Sequence, residues 1–276
     1  MKHIFMVLII YCSLIGYSQN TELITTDIFL DKEILKELSI DTKFTNSIEY
    51  TSDGFIILSS ANQFYILGVG GLVPIWGNWN NESDIESFAI ASDSILVVAS
   101  GNILYLLDSV NSFIKFQIIP DNNMNISSKY DNIYVYDRML KNDKEDYFIY
   151  RISEYGNMES LVKISTPILS VFERPSQLIF STKNIVFSVD IKTKKLFQLF
   201  SLPWEDDIIS IAGDTVHQTL YFSTTRSVYR VKNSQIELIS EEFGGILKYD
   251  GEGLLIFNPE EQLIVRFRNN ILYDNQ

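Results

Sequence analysis

The chain is poor in the residues that most familiar chemistry needs. Its 276 residues include one cysteine, two histidines and six prolines. Cys12 lies inside an N-terminal apolar run, so the chain beyond it has no disulfide, no thiolate metal site and no cysteine nucleophile. His3 precedes the same run, which leaves His217, in Gly213-Asp214-Thr215-Val216-His217-Gln218. A Ser-His-Asp centre would have to use it, yet no Gly-x-Ser-x-Gly elbow presents a serine. An exposed turn between two strands accounts better for His217, and zinc is disfavoured because its sites draw on His and Cys. Positive charge is short as well. Lys and Arg number 22 against 35 Asp and Glu, a net charge of −13. That balance repels phosphate backbones and excludes nucleic acid as a partner. The one dense basic run, Lys192 to Lys195, reads as a hairpin turn.

Long hydrophobic runs are also missing. Ile4 to Ile15 follows Lys2 and His3 and leads into Gly16-Tyr17-Ser18, the pattern of an export signal cut after Ser18. It falls short of the roughly 20 residues that span a bilayer. A retained anchor is the competing reading, and the bulky Tyr11 before Cys12 disfavours a lipid attachment. The expectation is an exported chain, periplasmic, cell-surface or secreted, with no membrane span once residues 1–18 are removed.

What is present is aromatic and β-branched: 18 Phe, 15 Tyr and recurrent Ile and Val runs, with 46% hydrophobic residues. These residues suit half-buried pleated surfaces. Six segments repeat one theme of β-rich run, short polar turn and second β-rich run. They begin at Phe55, Ile95, Ile133, Leu178, Leu220 and Leu254, so the steps are 40, 38, 45, 42 and 34 residues. Propeller blades of four strands recur at about 40–50 residues. Asn and Gly occupy the middle turns, as in Ser60-Ala61-Asn62, Ser100-Gly101-Asn102 and Thr182-Lys183-Asn184, where positive φ is needed. The third unit carries a charged insertion from Arg138 to Glu145, which explains the step of 45. Gly68-Val69-Gly70-Gly71 lies between strands, not at a helix start, so it reads as a hairpin and not a phosphate loop. Residues Asp31 to Ser39 predict a short amphipathic helix with Ile34, Leu35 and Leu38 on one face. The reading is an all-β, six-bladed propeller of four-stranded antiparallel blades over 47–276. A short extension at 19–46 precedes it, packing on the ring or helping to close it.

At the fifth unit, Leu220-Tyr221-Phe222-Ser223-Thr224, a turn, then Ser227-Val228-Tyr229-Arg230-Val231 resembles blades of the six-bladed superfamily. Its members include gluconolactonase/regucalcin-like, NHL-repeat and strictosidine-synthase-like proteins. The resemblance covers one or two blades by wording and the rest by pattern. It implies the fold and, in the lactonase-like members, a channel metal ringed by carboxylates and Asn. No ligand set of that kind maps onto this sequence residue by residue.

The chemistry left open is that of oxygen ligands and surfaces. Calcium needs only oxygen donors, but Asp121-Asn122-Asn123 and Asp250-Gly251-Glu252-Gly253 read first as turns, and no cofactor is predicted. All three tryptophans fall in connections between blades, beside amides and acids. The candidate binding residues are Trp76, Trp79, Asn80, Asn81, Asp121, Trp204, Glu205, Asp206 and Asp207. Trp anchors beside orienting polar groups suit sugar or protein recognition. Plugs between blades are an equal reading of the same residues. The first Trp connection joins blades one and two and the second joins four and five, so the two lie across the channel from each other. The sequence therefore points to a non-enzymatic binding or scaffold module of the bacterial cell envelope, with a protein or glycan partner. The alternative is a lactonase-like hydrolase with an oxygen-ligated divalent metal in its channel.

Overall fold

The computed structural model describes residues 26–268, apart from 38–42, 45–46, 52, 69–70, 77–78, 80, 82, 92–94, 109–111, 121–123, 130–131, 138–145, 154, 205, 215–218, 233–234 and 252. The export signal, His217 and the charged insertion lie outside the described residues, as do Asn80, Asp121 and Glu205.

Strand β1 (Thr26–Leu30) and helix α1 (Lys32–Glu37) precede the first complete sheet. That sheet, blade 1, holds β2 (Ile48–Tyr50), β3 (Ile56–Ser59), β4 (Phe64–Gly68) and β5 (Gly71–Ile75). Blade 2 holds β6 (Ser87–Ile90), β7 (Leu96–Ser100), β8 (Ile103–Leu107) and β9 (Phe113–Ile118). Blade 3 holds β10 (Met124–Lys129), β11 (Asn132–Asp137), β12 (Tyr147–Ile152) and β13 (Met158–Ile164). Blade 4 holds β14 (Ser170–Arg174), β15 (Gln177–Ser181), β16 (Ile185–Asp190) and β17 (Leu196–Ser201). Blade 5 holds β18 (Ser210–Gly213), β19 (Leu220–Ser223), β20 (Val228–Lys232) and β21 (Gln235–Ser240). Blade 6 holds β22 (Ile246–Tyr249), β23 (Gly253–Asn258) and β24 (Leu263–Arg268). Six four-stranded sheets result, five in simple up-and-down order and the sixth ordered β1-β24-β23-β22.

The chain is thus a six-bladed β-propeller. Each apolar run that set the sequence rhythm overlaps the second strand of a blade, and these strands are largely buried on both faces. In β3, β7, β19 and most of β23 every residue is buried. Neighbouring blades cover both faces of these strands, so the runs are continuous and not alternating. Gly68 ends β4 and Gly71 begins β5, and the two are paired antiparallel; residues 69–70 lie outside the described residues.

The strand of the N-terminal extension is the outermost strand of the last blade. Thr26 pairs with Phe267 and Leu30 with Ile264, antiparallel. The helix behind it starts at Asp31, whose carboxylate accepts from the Ile34 N–H at 2.8 Å as an N-cap. Leu35 is buried and Ile34 packs at the edge of the same cluster, as the amphipathic pattern requires.

Candidate functional site

Stacking six sheets radially leaves the inner edge of each first strand facing the axis. These edges carry backbone groups with no further strand to pair. Together they line a central channel of about 740 Å³, walled by β2, β6, β10, β14, β18 and β22.

At one end of the channel the problem of those edges is met by serines. The Ser47 and Ser87 hydroxyls lie 3.3 Å apart across blades 1 and 2. Ser87 accepts from the Ile126 N–H of blade 3, Ser170 from Ile211 of blade 5, and Ser210 from Leu247 of blade 6, at 2.9–3.1 Å. The Ser127 hydroxyl donates to the Val171 carbonyl of blade 4. Ser47, Ser87, Ser170 and Ser210 hold one repeated place at the start of the first strand, which Asn125 fills in blade 3, and Ser127 lies two residues further in. Their recurrence was visible in the sequence, but a lone Ser in each unit carries no signal until the edges it serves are known. Blade 6 has Ile246 at the corresponding place, and before it Gly245, where a Cβ would sit 2.3 Å from the Phe257 carbonyl oxygen at a φ of +144°. The Ser223 hydroxyl donates to the Gly245 carbonyl instead.

At the other end the first strands carry charge, and the charged groups join neighbouring blades. Lys248 Nζ of blade 6 meets Glu49 Oε1 of blade 1 at 2.6 Å. The Tyr249 hydroxyl donates to Asp214 Oδ2 of blade 5 at 3.3 Å. Asn132 Nδ2 of blade 3 donates to Glu173 Oε1 of blade 4 at 3.0 Å. Within blade 6, Arg266 Nη2 pairs with Asp250 Oδ2 at 2.6 Å. Burial pushes the Glu49 carboxyl above its ordinary range, more than the Lys248 ammonium pulls it down. Burial likewise lowers the Arg174 guanidinium, opposed by the Asp214 carboxylate. Tyr134, fully buried, is raised by burial and then by the nearby Glu173 carboxylate. Polar contacts therefore run from blade 3 round to blade 1, while Ile90 and Ala91 give blade 2 an apolar share of the wall.

The described carboxylates of the channel wall are each engaged by a neighbouring side chain and do not form a ring. Among the described residues no three of His, Cys, Asp and Glu gather as a metal-holding group. Of the wall's carboxylates, Glu49 is engaged by Lys248, Glu173 by Asn132 and Asp250 by Arg266.

The tryptophans belong to the rim at the serine end. There the connections between blades bond to the middle turns: Trp79, Ile119 and Leu202 donate their N–H groups to the carbonyls of Asn62, Asn102 and Asn184. These three residues occupy one repeated position, and all are buried, Trp79 at 6% exposed. The Trp79 ring packs edge-on against Tyr105 and Phe113, with Nε1 donating to the Ser83 carbonyl at 2.7 Å. Trp79 is therefore packed as a plug between blades 1 and 2, one of the two readings its sequence position allows: an apolar slot fills with Ile or Leu elsewhere and with Trp here. Trp76 and Trp204 are half-buried, against Phe64 and Tyr229. Asn81 is half-buried, and Asp206 and Asp207 are exposed. Trp79→Ala is expected to cost about 3–5 kcal/mol of stability, as for large core truncations, measured by urea denaturation.

The sequence matches no family profile and no curated protein. The fold is similar to solved structures at low identity. A gluconolactonase from Xanthomonas campestris aligns with a TM-score of 0.64 at 10% identity, over 82% of this chain and 86% of that one. A chain of a nidogen/laminin complex gives 0.66 at 8%, over 80% and 92%. The extracellular domain of a putative one-component system from B. thetaiotaomicron gives 0.56 at 14%, over 88% of this chain and 40% of that one. These likenesses show the six-bladed propeller and nothing finer.

Proposed function

We propose that this protein is an exported propeller that binds a protein or a glycan at the serine-end rim, where the connections between blades gather. The observation that carries the reading is the mutual engagement of the channel's charged groups. Among the described residues, Glu49 with Lys248, Glu173 with Asn132 and Asp250 with Arg266 are paired in contacts that hold neighbouring strands and blades together. The rim, by contrast, presents exposed Asp206 and Asp207 at one side and the half-buried Trp76 and Asn81 at the opposite side. A partner must straddle the mouth to touch both, which suits a folded protein or an extended glycan. The net charge of −13 favours a cationic partner surface. The export pattern at residues 1–18 and the likeness to extracellular and protein-complexed propellers support the reading.

The test is a photo-crosslinking amino acid placed at Asp206, at Asn81 and, on the opposite rim, at Asp53, in cells that make the protein. Discrete adducts at 206 and 81 and none at 53 are expected. Equal adducts at all three positions, or adducts at 53 alone, defeat the proposal.

A further inference from the structure

The serines at the channel mouth do more than answer the edges of neighbouring strands. A hydroxyl that accepts an N–H through one lone pair still has its own hydrogen to give. Ser170 accepts from Ile211 and Ser210 from Leu247, and among the described residues neither hydroxyl has another partner. Ser47 and Ser87 lie 3.3 Å apart, so one hydroxyl donates to the other. Whichever donates, the pair keeps one hydrogen. Three O–H donors are thus left without an acceptor among the described residues, on blades 4 and 5 and, across the axis, on blade 1 or 2. The four serines are 2–7% exposed, and all of them line the channel. Buried donors are seldom left unmade, because leaving them so is costly.

Two other side chains complete the same level of the wall. Blade 3 supplies Asn125, half-buried, with a carbonyl and an amide to offer. Blade 6 supplies Ile246, half-buried and apolar in an otherwise polar ring. Both line the channel. The matching ligand group has an oxygen that accepts without donating, an N–H for the Asn125 carbonyl and a methyl for Ile246. An acetamido group has all three. A carboxylate also accepts, but exposed Asp206 and Asp207, buried Glu49 and the net charge of −13 oppose an anion here. A plain hydroxyl would bring a further donor to a place already rich in them. The channel volume of about 740 Å³ lies within the range of small-ligand sites.

We infer that the serine end of the channel binds the acetamido group of an N-acetylated sugar. The inference rests on the rim-binding reading and narrows its partner to a glycan that turns such a residue into the mouth. Crosslinks at 206 and 81 without sugar binding would leave the rim reading standing and remove this one; sugar binding without crosslinks would do the reverse. Isothermal titration of the full chain with free N-acetylglucosamine, glucose and acetate is the test. N-acetylglucosamine is expected to bind saturably, at least about tenfold tighter than the other two. Ser170→Asp with Ser210→Asp keeps an acceptor for the N–H groups of Ile211 and Leu247 but replaces both donors. It is expected to weaken N-acetylglucosamine at least about tenfold, whereas a purely structural role for the serines predicts no loss. Ile246→Thr is expected to cut the preference over glucose by at least about threefold. No saturable binding of N-acetylglucosamine, equal binding of glucose or acetate, or a folded Asp variant that binds as before overturns the inference. If that variant does not fold, unchanged selectivity in Ile246→Thr overturns it.

Discussion

A chain beginning at residue 31 is expected to lose its cooperative fold, while a permuted chain carrying residues 26–37 after Arg268 keeps it. The reason is that β1 is the fourth strand of the last blade, contributed by the opposite end of the chain. Leu30 is fully buried among Phe44, Leu255, Phe257 and Ile264, so its segment is part of the core and not a surface strap. Behind it, the Gln262 carboxamide accepts from the Phe44 N–H at 2.8 Å and donates back to the Phe44 carbonyl. The exposed Asp27–Arg268 pair adds little, as surface ion pairs do. Apolar burial dominates, and Leu30→Ala alone is expected to cost about 2–5 kcal/mol. Because Thr26 lies opposite Phe267, a short hairpin joins β24 to β1 in the permuted chain without disturbing the register. Denaturant unfolding compares the truncated, permuted and full chains. Equal stability of the truncated and full chains would show that the ring does not need this closure.

Lys248→Met is expected to destabilise the protein by about 3–5 kcal/mol near neutral pH, and by much less in acid. The side chain is 29% exposed and its partner Glu49 only 9%, so the change strands a buried carboxylate where the first and last blades meet. The pH dependence follows from the direction of the Glu49 shift. Burial already raises this carboxyl above its unfolded value, and loss of Lys248 raises it further. A group raised in the folded state gives its full stabilisation below the unfolded pKa and loses it as pH rises through the folded one. The deficit of the variant should therefore be small at about pH 4 and grow toward about pH 7. Adding Glu49→Gln removes the stranded charge and is expected to recover most of the loss. Urea denaturation of the two single variants and the double variant across that range reads both effects. A deficit for Lys248→Met that is independent of pH would refute the assignment of its cost to Glu49.

The contrast between Trp79 and the serines shows where reading a sequence reaches its limit. Trp79 stood out because tryptophan beside Asn and Glu is a recognition signature, yet its slot is the one that Ile119 and Leu202 fill in other blades. Residue type advertised a surface; position in the repeat made it core. The serines gave the opposite case. Ser87, Ser170 and Ser210 look like ordinary polar residues at strand starts, and their role appears only when the N–H groups of the neighbouring blade stand within 3.1 Å. The charged end of the channel was hidden for the same reason. Glu49 and Lys248 are 199 residues apart, the sum of the five repeat steps, so the rhythm gives them one position in the blade, but only closure of the ring sets blade 6 against blade 1.

Composition and rhythm alone determined that the chain is all-β and that its units number six. Those properties follow from which residues are present and how often apolar runs recur, and both are local. Which blade the first strand completes, which aromatics turn inward and which carboxylates are already taken were decided by closure of the ring. Closure brings residues 26–30 beside 264–267 and Glu49 beside Lys248, and the free energy of such contacts depends on burial and distance. Neither quantity exists along the chain until the sheets have packed.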